Sequence, residues 1–184
     1  MITAILRCGW AGGEHTLGQT VAMSVLSSLA RRLGGKRWFA VVGRTYVPLD
    51  RLLGRLSKGR FVALGLRDLP SCMLTTTGRK SGQPRTHPLL FATDGDAFVV
   101  IGSNWGQQHH PAWSSNLLAN PDAQVTLGGE SIPVRARLTK GAERERLRRM
   151  MLDIWPAYAA YESRAPDRNL RIFRLERTNT TQTA

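Results

Sequence analysis

Between Ser71 and Leu138 the chain is a succession of short apolar and β-branched runs joined by glycine-bearing turns, and this pattern constrains the fold more tightly than any other feature. Ser71 to Thr77 closes on Gly78, Arg85 to Thr93 leads into Asp94-Gly95 and then 96–103, and Ala123 to Leu127 joins Ser131 to Leu138 through Gly128-Gly129. Asp-Gly and Gly-Gly pairs reach the positive φ that two-residue hairpin loops demand, so each run should pair with the next. In the last of them Arg135 and Arg137 alternate with Val134, Ala136 and Leu138, which predicts one buried and one wet face. A further strand is expected at Leu170 to Leu175, and helices at Pro111 to Leu118, ended by Asn120-Pro121, and at Ala142 to Ile154. About six short strands with helical insertions and no strand–helix–strand alternation predict a mainly β chain with α, a small antiparallel barrel with flanking helices rather than a doubly wound sheet.

The 184 residues suit one domain with a substantial core. The two cysteines, Cys8 and Cys72, suggest no disulfide framework, and no Cys/His spacing resembles a zinc site. His109-His110 lacks a third ligand at useful spacing, so no metal is expected. No run is apolar enough to span a bilayer and residues 1–22 lack a signal-peptide core, which together predict a cytoplasmic location. Residues 1–22 read as a loosely ordered extension, with Met23 a candidate start. The net charge of +13 is concentrated in residues 23–70, which hold ten basic and two acidic groups. Within 23–60, Val25, Leu26, Leu29 and Leu33 and then Leu49, Leu52, Leu53 and Leu56 recur at helical spacing with cations off the apolar faces, predicting a basic amphipathic helical segment. Such a segment suits a polyanionic small molecule, the anionic inner face of a plasma membrane or nucleic acid. Nucleic acid ranks last, because no aromatic RNA-binding sheet, zinc knuckle or helix-turn-helix is legible. The barrel domain is expected over 61–177, with a tail over 178–184.

The most informative stretch is Thr75-Thr76-Thr77-Gly78-Arg79-Lys80-Ser81-Gly82-Gln83-Pro84-Arg85. It places three cations, several hydroxyls and two glycines at one strand turn, a chemistry that suits phosphate. A solvated basic hairpin would have the same composition, and the order is not that of a Walker A loop.

The segment continues as Arg85-Thr86-His87-Pro88-Leu89-Leu90, and is followed by Ile101-Gly102-Ser103-Asn104-Trp105-Gly106 and His110-Pro111-Ala112-Trp113-Ser114-Ser115-Asn116-Leu117. In this order the motifs resemble the deazaflavin-dependent nitroreductase family, the F420H2-dependent quinone and nitroimidazole reductases of actinobacteria, over about Leu69 to Glu176. The resemblance implies a split β-barrel like that of the FMN-binding oxidoreductases. It implies that Arg79, Lys80, Ser81 and Arg85 hold the phosphate and the start of the glutamyl tail of coenzyme F420. By the same resemblance Thr86, His87, Pro88, Leu89 and Leu90 pass beside the cofactor, while Ile101, Gly102, Ser103, Asn104, Ala112, Trp113, Ser114, Ser115 and Asn116 wall in its ring and ribityl chain. Barrel packing would account for Pro88 to Leu90, and helix packing for Trp113, without any ligand.

Trp155, Tyr158 and Tyr161 recur every three residues and can share one helical face, where three rings could line a flat substrate pocket. In the family the corresponding tyrosines cover the substrate. Trp155 stands where some members carry tyrosine and Leu90 where some carry an aromatic, departures that weigh against nitroimidazole activation. The resemblance therefore implies hydride transfer from reduced deazaflavin to a quinone, nitro compound or similar electrophile, with Ser103 and Tyr158 hydrogen-bonding the acceptor. An FMN-dependent oxidoreductase on the same barrel is the alternative.

Overall fold

A computed structural model describes residues 33–36, 38, 41, 45 and 69–178. The extension 1–22, nearly all of the basic segment 23–60 and the tail beyond Thr178 lie outside the described residues. Six strands follow the expected hairpins closely: β1 (Ser71–Thr77), β2 (Pro84–Asp94), β3 (Ala97–Ile101), β4 (Asp122–Leu127), β5 (Glu130–Leu138) and β6 (Ile172–Arg177). They are interrupted by α1 (Ala112–Ala119), α2 (Gly141–Ile154) and α3 (Ala157–Arg164). All pairings are antiparallel and the strands close into a barrel in the order β1-β2-β3-β6-β5-β4. Gly95, Gly128 and Gly129 take positive φ at the two hairpin turns, as the Asp-Gly and Gly-Gly pairs predict.

Two apolar clusters explain which strands look continuous and which alternate. Leu74, Phe91, Phe98, Val100, Val125, Val134, Phe173 and Leu175 fill the barrel, and Trp113 and Leu117 of α1 join them. Ala92, Val99, Ile101 and Ile172 form part of the second cluster with Leu147 and Met151 of α2 and with Trp155, Tyr158 and Tyr161. Strand β3 is thus covered on both faces, which is why all five of its residues are buried and apolar. Strand β5, covered on one face, keeps Arg135 and Arg137 exposed.

Two expectations need correction. The third strand ends at Ile101 rather than continuing to 103, because Ser103 turns into the right-handed helical region (φ −71°, ψ −33°) and Asn104, Trp105 and Gly106 follow at φ 47°, 56° and 76°. Trp155 does not share a helix with Tyr158 and Tyr161: α2 stops at Ile154 and Trp155 is extended at φ −138°. Pro156 causes the break, since it disfavours a helical conformation in the residue before it and then opens α3. The three rings still meet in the second cluster, by tertiary packing.

Candidate functional site

The β1–β2 connection is a tight loop. The Gly78 N–H donates to the Gln83 carbonyl at 2.9 Å, the Gly82 N–H donates back to the Gly78 carbonyl at 2.7 Å, and Gly82 sits at φ 66°. A Cβ at Gly78 would lie 2.8 Å from Ser81 Oγ and 3.0 Å from the Gln83 carbonyl, so a side chain there would press on the loop itself. With the backbone folded on itself, Arg79, Lys80, Ser81 and Arg85 are exposed together.

One buried side chain pins this loop to the barrel. Asn116 on α1 accepts from the Arg79 N–H at 3.2 Å and donates through Nδ2 to Thr76 Oγ1 at 3.1 Å, while Thr76 Oγ1 contacts the Arg85 carbonyl at 3.4 Å. The Thr75 and Thr86 hydroxyls bond each other across the same two strands at 2.9 Å. Asn116 and Thr86, both expected to line the cofactor, are thus engaged in shaping the loop. Trp113 is buried against Phe173, with ring centroids 5.9 Å apart, and supports α1 from the barrel side. On β2, Leu89 packs with the interior cluster and Leu90 with the outer one, while His87 and Pro88 are half-buried between the loop and these residues.

The turn after β3 is held just as closely, by a residue that sequence reasoning missed. Arg168 is buried at 6% exposure and donates to the Gly102 carbonyl at 2.9 Å and the Ser103 carbonyl at 2.6 Å. Asn104 Nδ2 donates to the His109 carbonyl at 3.0 Å, and the Gly102 N–H donates to the Arg171 carbonyl at 2.8 Å. Arg171 in turn reaches α1, its Nη1 donating to Ser114 Oγ at 3.2 Å and Ser115 Oγ at 3.1 Å. Four segments distant in sequence, 78–85, 101–104, 112–116 and 168–171, are joined by one chain of hydrogen bonds. Nothing in the local pattern singles out Arg168 or Arg171 among 22 arginines.

The turn also packs on α3. Trp105 and Tyr161 have centroids 6.2 Å apart, and Tyr158 meets Tyr161 edge-on at 6.0 Å. Trp155, Tyr158 and Tyr161 are all buried. The hydroxyls of the two tyrosines differ. Tyr161 accepts from Trp155 Nε1 at 3.4 Å and donates to the Gly34 carbonyl at 3.1 Å, whereas Tyr158 and Ser103 hydroxyls have no hydrogen-bond partner among the described residues. Burial raises the Tyr158 phenol further above its ordinary range, with Tyr161 and Cys72 adding to the effect, so it is a neutral donor at any physiological pH.

Asp94, Asp122, Glu143, Glu145, Glu162 and Glu176 pair with Arg135, Arg137, Arg144, Arg146, Arg148 and Arg174. Among the described residues, Arg79, Lys80, Arg85, Arg168 and Arg171 have no carboxylate in ion-pair range. This donor set, with the backbone cradle at Gly78, fits a phosphorylated or carboxylated ligand.

The family model described as F420H(2)-dependent quinone reductase matches residues 53–177. An F420H(2)-dependent quinone reductase of Mycobacterium tuberculosis is 44% identical over 68 residues, which are 37% of this chain and 46% of that protein, so the chain spans about half the length of the curated relatives it matches. A solved F420-H2 dependent reductase (FDR-A) superposes with a TM-score of 0.54 at 34% identity, over 58% of this chain and 94% of its own. A second structure, described as a domain-swapped dimer, superposes with a TM-score of 0.56 at 30% identity, over 70% of this chain and 96% of its own. The matched span contains the whole barrel, the pinned loop and the Arg168 turn, and the chain belongs to the F420H(2)-dependent quinone reductase family.

Proposed function

We propose that this chain is an F420H2-dependent reductase that delivers a hydride to a quinone, with nitro compounds and similar flat electrophiles as further acceptors. The observation that carries the reading is the exposed Arg79-Lys80-Ser81 loop, free of carboxylates and pinned by Asn116 to the helix that faces the Ser103 turn. When bound, the reduced deazaflavin supplies the hydride. Lys80, Arg85 and Arg79 hold its phosphate, and Ser81 adds a hydroxyl at the loop tip. Ser103 and Tyr158 donate to the acceptor oxygen as charge develops there, because no described residue engages either hydroxyl. Neither gives up its proton: burial keeps the phenol neutral, and it contributes a positioned dipole. Leu90 packs against the aromatic cluster and is smaller than an aromatic would be, leaving room for bulky acceptors.

The test is titration of the purified protein with F420 and FMN by fluorescence, beside Lys80→Ala and Arg85→Ala. Each variant should weaken F420 binding about tenfold and flatten its dependence on salt, since a charge-assisted contact to a polyanion is lost. Affinity unchanged in both variants, or tighter binding of FMN than of F420, would overturn the assignment.

A further inference from the structure

Arg171 stands just ahead of β6 and is half-buried beside the first turn of α1, where the helix end already presents positive potential. Its Nη1 meets two neutral hydroxyls, Ser114 and Ser115, and among the described residues no carboxylate comes within ion-pair range. Arg174, within β6, shows the contrast: it is neutralised by Asp94 at 2.9 Å and by Glu176 at 2.6 Å.

The neighbours of Arg171 add to the imbalance. Burial lowers its pKa and the charge of Arg79 lowers it further, so the two guanidiniums lie within electrostatic reach of each other. Arg171 acts likewise on Arg168 and, together with Arg168, on His110. Arg168 Nε is the one buried side-chain nitrogen or oxygen among the described residues that lacks a hydrogen-bond partner. Gathering like charges in a partly desolvated crevice is unfavourable unless an anion completes the set.

We propose that Arg171, with the Ser114 and Ser115 hydroxyls and Arg79, forms an oxyanion subsite that binds an anionic group of the ligand held by the 78–85 loop. The inference rests on the F420 reading for the identity of that ligand, which offers two kinds of oxyanion, a phosphodiester and the tail carboxylates. Arg171 commits its Nη1 to the serines and keeps the rest of its fork for the oxyanion.

The experiment compares wild type, Arg171→Gln, Arg171→Lys and Arg149→Gln. Arg149 is exposed on α2, away from these residues, so its variant removes the same charge without touching the subsite. Binding is followed by fluorescence with three probes: F420 carrying glutamates, the same cofactor lacking them, and the deazaflavin riboside lacking phosphate as well. Arg171→Gln should weaken glutamylated F420 roughly tenfold and leave the riboside unchanged, Arg171→Lys should recover part of the loss, and Arg149→Gln should do neither. A loss confined to the glutamylated form identifies a carboxylate as the bound group, and a loss shared with the form lacking glutamates identifies the phosphodiester. Equal loss for all three probes, no loss at all, or the same loss in Arg149→Gln would overturn the subsite. Thermal stabilisation by inorganic pyrophosphate separates the two ideas. If wild type fails to bind F420 yet is stabilised by pyrophosphate in an Arg171-dependent way, the cofactor reading falls and the subsite stands.

Discussion

Tyr158 and Tyr161 show how two residues of one type, three apart on one helix, come to different roles through their hydroxyls alone. Tyr161 bridges Trp155 and Gly34, so Tyr161→Phe strands a carbonyl and should lower stability by about 1 kcal/mol in urea denaturation. Tyr158→Phe removes a hydroxyl that no described residue engages, and stability should stay within about 0.5 kcal/mol. Steady-state reduction of a quinone series by F420H2 should show the reverse order, with Tyr158→Phe the slower variant and F420 affinity unchanged within a few-fold. Asn116 belongs to the same scale. Asn116→Ala leaves the Arg79 N–H and Thr76 without their partner, which should lower stability by about 1–3 kcal/mol and weaken F420 binding with it.

At the scale of elements, glycines in the turns separate what holds the fold from what shapes the cationic loop. Gly82 and Gly128 both take positive φ, 66° and 60°, and a Cβ on either would meet open space. Alanine at either position should therefore lower stability by a similar amount, about 1 kcal/mol, from backbone strain alone. Only Gly82→Ala should also weaken F420 binding, since it deforms the cationic loop while Gly128 lies in the β4–β5 turn. Gly106 is more constrained: at φ 76° its Cβ would fall 3.1 Å from Tyr161 Cα, so Gly106→Ala should push the Ser103 turn off α3 and reduce quinone turnover as well as melting temperature.

Across the whole molecule, carboxylates tie the shell together by pairing with arginines, and Asp94 is the clearest case. It opens the β2–β3 turn and binds Arg146 of α2 at 2.7 Å and Arg174 of β6 at 2.9 Å, joining three parts of the outer layer. Hydrogen bonds from those two arginines, Arg146 first, hold its carboxyl well below the ordinary range, at about 2. A pKa lowered by folding adds stability above the unfolded value, roughly 4, and that stability is lost as pH falls through the folded one. The melting-temperature gap between wild type and Asp94→Asn should therefore be full at pH 7 and close progressively between about pH 4 and pH 2. The barrel itself was legible in the sequence, because a hairpin is a local object: Asp94-Gly95 and Gly128-Gly129 set the turns, and alternation or its absence told which faces of β5 and β3 are covered. The basic loop was legible for the same reason, its cations and glycines being contiguous from Gly78 to Arg85. Tertiary structure alone decided which residues shape the candidate site. Arg168, Arg171 and Asn116 act on backbone and hydroxyl groups 37 to 66 positions away, and Trp155 joins Tyr161 across a proline break. Such contacts carry no periodicity, so the closed barrel determines them by bringing the ends of β1, β3 and β6 beside the start of α1.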